Sequence, residues 1–226
     1  MAAEELAIYD LDRTITRAGT YTPLLFFWAR RRAPWRLLLF PAALAFMGAY
    51  AVKIINRKRL KEIMQRLLMG GRTQRDALTP IVDAFARDLV RDGVYPKAME
   101  AITADRAAGR RVIVATAAHE FYVRPIARML NITDIVATRS YTDENGAILA
   151  RIEGENCYGP DKLSMLEAYM EKVGIDRNNV HIRVYSDHIS DLPVLDWADE
   201  PIAVNASLRL NAIASQRSWK TANWGS

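Results

Sequence analysis

Two aspartates spaced two residues apart, Asp10 and Asp12, close the short apolar run LAIYDLD. If that run is a strand, alternation places residues i and i+2 on one side, so both carboxylates point the same way. Like charges held that close call for a cation or a proton between them. A solvated pair of acids at a strand end is the plainer reading, and the apolar residues ahead of the pair weaken it. Three further places add to the inventory. Thr116 follows RVIVA (Arg111–Ala115), where a lone Thr also serves as a turn or cap residue. Lys162 opens a helix-like stretch after Gly159-Pro160-Asp161, an unfavourable position for a cation in the helix dipole. Ser186-Asp187-His188-Ile189-Ser190-Asp191 puts two more acids into one loop and helix start, where Asp191 can equally cap. Asp10, Asp12 and Asp187 offer the oxygen ligands that Mg²⁺ takes, the ion keeping several waters. Thr116 and Lys162 supply a hydroxyl and an ammonium for the remaining charge of a phosphate. The implied chemistry is phosphoryl transfer.

These residues need a scaffold that brings strand ends together. After residue 110 the sequence alternates between strand-like and helix-like stretches. Arg111–Ala115, Asp134–Thr138, Val180–Tyr185 and Pro201–Val204 read as strands; Glu120–Leu130, Lys162–Val173 and Ile189–Trp197 read as helices. Arg139–Tyr141 and Ile148–Glu153, joined through Asp143-Glu144-Asn145-Gly146, read as a hairpin. The pattern predicts an α/β fold with a mostly parallel, Rossmann-like sheet covered on both faces, and ligands beyond the carboxyl ends of its strands. Residues 21–90 show no convincing strand and read as three or four helices inserted after the first strand. The expected units are therefore 1–16 with 93–226 as catalytic core and 17–92 as a helical cap.

Charge separates the same two units. The 226 residues carry 31 Lys and Arg against 26 Asp and Glu, a net of +5, yet Arg17–Val90 holds 14 basic residues and four acids. The cap is basic and the core mildly acidic, which points to an anionic partner met by the cap. Within the cap, residues 37–52 (LLLFPAALAFMGAYAV) carry no charge and are flanked by Arg30, Arg31, Arg32 and Arg36 on one side and Lys53, Arg57, Lys58, Arg59 and Lys61 on the other. That run is shorter than the ~20 residues a spanning helix needs and contains Pro41 and Gly48. Two readings stay open for it: a helix against an anionic membrane surface, or a buried helix of a small bundle. Long aliphatic stretches between the arginines suit lipid better than nucleic acid, so no nucleic-acid partner is expected. A single cysteine, Cys157, excludes a disulfide framework and suits a reducing compartment. An acidic N-terminus running straight into a strand leads us to expect no signal peptide and a cytoplasmic location, extending to a peripheral one on the inner face of the membrane. Half the residues are hydrophobic and a quarter charged, which excludes a disordered or polytopic membrane chain.

Read together, the four stretches resemble the motifs of the haloacid dehalogenase superfamily of phosphohydrolases. Tyr9-Asp10-Leu11-Asp12-Arg13-Thr14 is similar to its first motif, Val114-Ala115-Thr116 to its second, Lys162 to its third, and Ser186-Asp187 with Asp191 to its fourth. A helical insertion directly after the first motif resembles the phosphoserine phosphatase-like branch (subfamily IB). The resemblance implies Asp10 as nucleophile forming an aspartyl-phosphate and Asp12 as general acid and base. It implies Thr116 and Lys162 on the phosphoryl oxygens, and Mg²⁺ on Asp10, Asp187 and the backbone carbonyl of Asp12, supported by Asp191. Phosphoserine phosphatases carry a Glu after the first motif to recognise the amino-acid part of the substrate; Thr16–Thr22 here contains no acid. The cap layout is instead similar to the phosphatidylglycerophosphatase C group. A Mg²⁺-dependent phosphomonoesterase acting on an anionic lipid phosphate is the expectation, with Arg30, Arg31, Arg32 and Arg36 as candidate substrate-binding residues. A small soluble phosphate ester is the alternative substrate, and a membrane-binding protein without activity the alternative from another class. His119 and His188, beside the second and fourth motifs, are either pocket residues or loop residues with a satisfied hydrogen bond. Trp197, Trp219 and Trp224 are expected to pack or to sit in a loose tail.

Overall fold

The structure, a computed structural model, describes residues 4–225. Strand β1 (Glu4–Tyr9) lies at the middle of the molecule because Leu6, Ala7, Ile8 and Tyr9 are apolar on both faces and all are buried. The inserted segment follows: α1 (Tyr21–Arg32), a 3₁₀ segment (Pro34–Leu39), α2 (Phe40–Ala51), α3 (Arg57–Leu68), β2 (Arg72–Thr73) and α4 (Arg75–Asp92). Helix α5 (Pro96–Ala107) leads back to β3 (Arg111–His119), α6 (Glu120–Met129), β4 (Asp134–Thr142) and β5 (Ile148–Glu153). The chain ends through α7 (Pro160–Lys172), β6 (Val180–Ser186), α8 (Leu192–Trp197), β7 (Glu200–Val204), α9 (Leu208–Gln216) and β8 (Lys220–Ala222).

The strands form one sheet in the order β2-β5-β4-β3-β1-β6-β7-β8. From β4 to β8 every neighbouring pair is parallel, so the ends of β3, β1 and β6 emerge side by side on one edge. Each face is covered. Ala7 and Tyr9 pack toward the cluster that holds α1, α3, α4 and α6, while Leu6 and Ile8 pack toward α7, α8 and α9. This is the α/β core with a helical insertion that the alternating pattern predicts.

Three local expectations change. Arg72–Thr73, placed in a segment without strands, pairs antiparallel with Leu149 and Ile148 of β5 and ties the cap to the sheet. Strand β4 runs unbroken through Thr142, so the separate strand expected at Arg139–Tyr141 is its outer half, hairpinned onto β5. The stretch expected as one helix over Ile189–Trp197 divides into a 3₁₀ turn (Ile189–Asp191) and α8, with Pro193 in the first turn of α8. Of the two readings offered for Trp224, packing holds: it is buried and stacks near Tyr9 and Tyr185, 6.5 and 5.7 Å between ring centres.

The uncharged run at 37–52 is not a buried bundle helix. It divides between Leu39 and Phe40 into the 3₁₀ segment and α2, with Pro41 in the first turn of α2, and Ala43 is the one buried residue of α2. Leu38 is 82 % exposed, Leu44 49 % and Met47 45 %. No described helix is long and apolar enough to cross a membrane.

Candidate active site

Asp10 stands one residue beyond β1, where its backbone N–H still donates to Tyr185 O of β6 at 3.0 Å. Thr116 lies in β3 at the point where that strand loses register with β4, and Asp187 follows β6 directly. Three neighbouring parallel strands thus deliver a carboxylate, a hydroxyl and a second carboxylate to one edge, where α/β sheets bind ligands. Asp10, Asp12, Thr116, Lys162, Asp187 and Asp191 all line one cleft of about 290 Å³.

Lys162 explains its own awkward place in the first turn of α7. Its Nζ donates to Asp10 Oδ1 at 2.8 Å and to Asp191 Oδ2 at 2.6 Å, and Ser186 Oγ donates to the same Asp191 oxygen at 2.7 Å. Burial opposes the Lys162 charge, but the two carboxylates outweigh it and hold the ammonium above its ordinary range. Gly159 makes this entry possible. It sits at φ 62°, ψ −136°, a region closed to side chains, so the chain can turn sharply into Pro160 and α7.

Asp12 is held by the cap. Its Oδ1 accepts from the backbone N–H of Thr20 at 2.9 Å and from Thr20 Oγ1 at 2.7 Å, immediately before α1. Burial raises its pKa against the pull of those hydrogen bonds. Burial likewise raises Asp10 against the pull of Lys162, and pushes Asp187 up to about 6 with Asp191 adding to the shift. Desolvated carboxylates without enough positive charge are what a divalent cation relieves. Among the described residues no cluster of three His, Cys, Asp or Glu side chains stands ready to enclose a metal. The expected set asks for less: two carboxylates, the Asp12 carbonyl and water, an all-oxygen donor set that fits Mg²⁺.

The other candidates separate. His188 lines the cleft and shapes its rim, its Nδ1 accepting from the Ser190 N–H at 3.2 Å. His119 is no loop residue: it ends β3, fully buried, with Nδ1 2.9 Å from Ser140 Oγ and its ring stacked on Tyr21 at 5.3 Å. Arg30, Arg31, Arg32 and Arg36 are not brought to the cleft. The first three end α1, where they face the negative end of its dipole, and Arg31 lies over the Phe27 ring. Arg36 instead donates to Arg66 O and Leu67 O at the end of α3.

The basic residues that do reach the site are Arg13, Arg57 and Lys61. A second cavity of about 470 Å³ shares Asp12, Arg13, Gly19, Arg57 and Ala117 with the first and continues under the cap. Tyr21, Leu60 and Met64 line it, and Met47 and Tyr50 of exposed α2 form part of its wall. Sequence reasoning counted Arg57 and Lys61 only as members of a basic flank. Their i, i+4, i+7 spacing with Met64 placed them on one face of α3, and that was the available signal.

A family model described as haloacid dehalogenase-like hydrolase matches residues 7–196. The chain belongs to that family. This hydrolase shares its whole fold with a protein of unknown function from Bordetella pertussis Tohama I. The TM-score is 0.89 at 26% identity, with 98% of this chain and 99% of that one covered. It is 27% identical over 94% of its length to the inhibition of morphological differentiation protein of Streptomyces azureus, 76% of which is covered. It is also 33% identical over 62% of its length to a probable phosphatase of Mycobacterium tuberculosis, spanning 47% of that protein.

Proposed function

We propose that this hydrolase is a Mg²⁺-dependent phosphomonoesterase that works through an aspartyl-phosphate on Asp10, and that its substrate is an anionic lipid phosphate of the phosphatidylglycerophosphate type. The carrying observation is the Lys162 clamp on Asp10 and Asp191 at the end of β1, with Asp12 two residues away in the same cleft. Lys162 keeps one Asp10 oxygen in place and offers its charge to the phosphoryl group. Thr116 adds a hydroxyl from the neighbouring strand β3 on the same edge. Asp10 attacks phosphorus, the bond to the leaving oxygen breaks, and Asp12 gives that oxygen its proton. Asp12, now a carboxylate, takes a proton from water, which attacks the phosphorus and releases phosphate from Asp10. Asp10, Asp187 and the Asp12 carbonyl would hold Mg²⁺, which supplies charge neutralisation on the phosphoryl oxygens.

The lipid reading rests on the second cavity. It leads from Asp12 to Met47 and Tyr50, which belong to the exposed apolar helix of the cap. Trp35, Leu38, Val52 and Ile54 extend that apolar surface, and Arg30, Arg31, Arg32, Arg36 and Lys53 surround it in sequence. Exposed apolar residues flanked in sequence by cations suit a peripheral position on an anionic bilayer. The helical insertion after β1 supports a place beside the phosphoserine phosphatase-like branch, and the missing acid at Thr16–Thr22 argues against phosphoserine itself. The test is a substrate panel of phosphatidylglycerophosphate in mixed micelles, phosphoserine and soluble sugar phosphates. The lipid should lead in kcat/KM by about tenfold or more. A preference for any soluble ester overturns the lipid reading.

A further inference from the structure

Lys61 is the second buried lysine near the reaction centre, and its surroundings differ from those of Lys162. It is 7 % exposed, yet among the described residues no carboxylate lies within 4 Å of its Nζ, whereas Lys162 has two. Its partners are neutral oxygens of the core. Nζ donates to Ala117 O, one residue past Thr116, and to Asn156 Oδ1 at 2.8 Å. An ammonium has three N–H donors, so one remains after these two bonds. Tyr21 fixes the other end of the residue by donating to Lys61 O at 2.6 Å, and its ring lies 5.5 Å from Nζ.

Burial and the nearby Arg57 push the Lys61 pKa down to about 7 against the pull of Asp12, and an anion arriving beside Nζ favours the charged form. Lys61 lines the cavity that continues from the reaction cleft, with Arg57 one helical turn earlier and Arg13 at the shared wall. Neither arginine has a carboxylate within 4 Å among the described residues, and Arg57 lies over the Tyr158 ring at 4.1 Å. The one acid of this cavity is Asp12; Thr22 adds a hydroxyl, and Tyr21, Leu60 and Met64 give it an apolar wall. A leaving group that fits such a space has an apolar body and a negative charge of its own.

We infer that Lys61 is a specificity-determining residue that binds a second anionic group, a carboxylate or a phosphodiester, on the alcohol part of the phosphate ester. This deepens the phosphomonoesterase reading and rests on it. It does not depend on a lipid substrate, because a lipid headgroup and a small phosphorylated acid present the same chemistry. Neutral monoesters meet the same Asp10 and Asp12 but leave the Lys61 charge unanswered.

The experiment compares wild type, Lys61→Gln and Lys61→Arg on three substrates. Para-nitrophenyl phosphate has no second anion, 3-phosphoglycerate has a carboxylate, and phosphatidylglycerophosphate in mixed micelles has a phosphodiester. Gln keeps an amide donor for Ala117 O and Asn156 and removes only the charge; Arg restores the charge. For Lys61→Gln, KM should rise about tenfold or more on the wild type's preferred anion-bearing ester, with kcat within about threefold. The loss in KM on para-nitrophenyl phosphate should be several-fold smaller than on that ester, and Lys61→Arg should recover most of the KM loss on the anion-bearing ester. Whichever of the two anion-bearing esters wild type prefers identifies the source of the anion. An equal loss on all three substrates, or no loss on any, overturns the assignment and makes Lys61 a structural tie between cap and core. Wild type inactive on all three, with Mg²⁺ present, overturns the phosphomonoesterase reading and this inference with it.

Discussion

At the scale of single residues, burial is the force that sets this site apart from an ordinary strand end. Asp10 and Asp191 both answer the buried Lys162 charge, and the clamp as a whole stays short of positive charge. His119 shows the opposite case. It is completely buried, its Nε2 has no hydrogen-bond partner among the described residues, and burial together with Lys61 pushes its pKa well below 6.5. The folded protein therefore keeps His119 neutral, while the unfolded chain takes up a proton below about pH 6.5. Stability from this residue is complete above that pH and falls as pH drops through it. His119→Asn, which keeps a donor for Ser140, removes the dependence. In urea melts between pH 7.5 and 5.5, the stability advantage of wild type over the variant should shrink by up to about 1.4 kcal/mol for each pH unit below 6.5. Parallel stability curves would show that His119 is charged in the fold.

At the scale of elements, what could be read in the sequence depended on how local the cause is. The ends of β1, β3 and β6 were legible because a short apolar run followed by Asp or Thr is a local signal. Lys162 was legible because a cation in a first turn conflicts with the helix dipole, and the structure supplies the two acids that resolve the conflict. The roles of α3 and β2 were not. Arg57 and Lys61 became cleft residues only when α3 packed over Ala117 and Asn156, and Arg72–Thr73 became a strand only beside β5. The fate of α2 was equally a tertiary matter, since the same uncharged run suits burial or a bilayer. Its exposure predicts surface binding. Leu38→Asp with Leu44→Asp, neither of which lines the clefts, should reduce co-sedimentation with phosphatidylglycerol vesicles by about tenfold. Turnover of a soluble aryl phosphate should be unchanged. Equal sedimentation of wild type and variant, or binding to phosphatidylcholine as strong as to phosphatidylglycerol, would contradict a docking role for α2.

At the scale of the whole molecule, the fold separates two tasks. The parallel sheet brings carboxylates, a hydroxyl and a lysine to one edge, and the insertion after β1 places cations and apolar side chains above them. The net charge of +5 is the sum of a basic cap and an acidic core, and the two meet at Asp12, which Thr20 holds at the entrance of the insertion. In the proposed mechanism substrate choice and chemistry are joined at Asp12, and Asp10 is the nucleophile on which the chemistry turns. The most direct test is a single-turnover reaction with an aryl phosphate and Mg²⁺, quenched in acid and followed by peptide mass spectrometry. Wild type should carry one phosphoryl group on the peptide containing Asp10, and Asp10→Asn should carry none and lose at least about a thousandfold in kcat. A phosphorylated residue elsewhere, or an Asp10→Asn variant that still hydrolyses the ester at the wild-type rate, would contradict the mechanism.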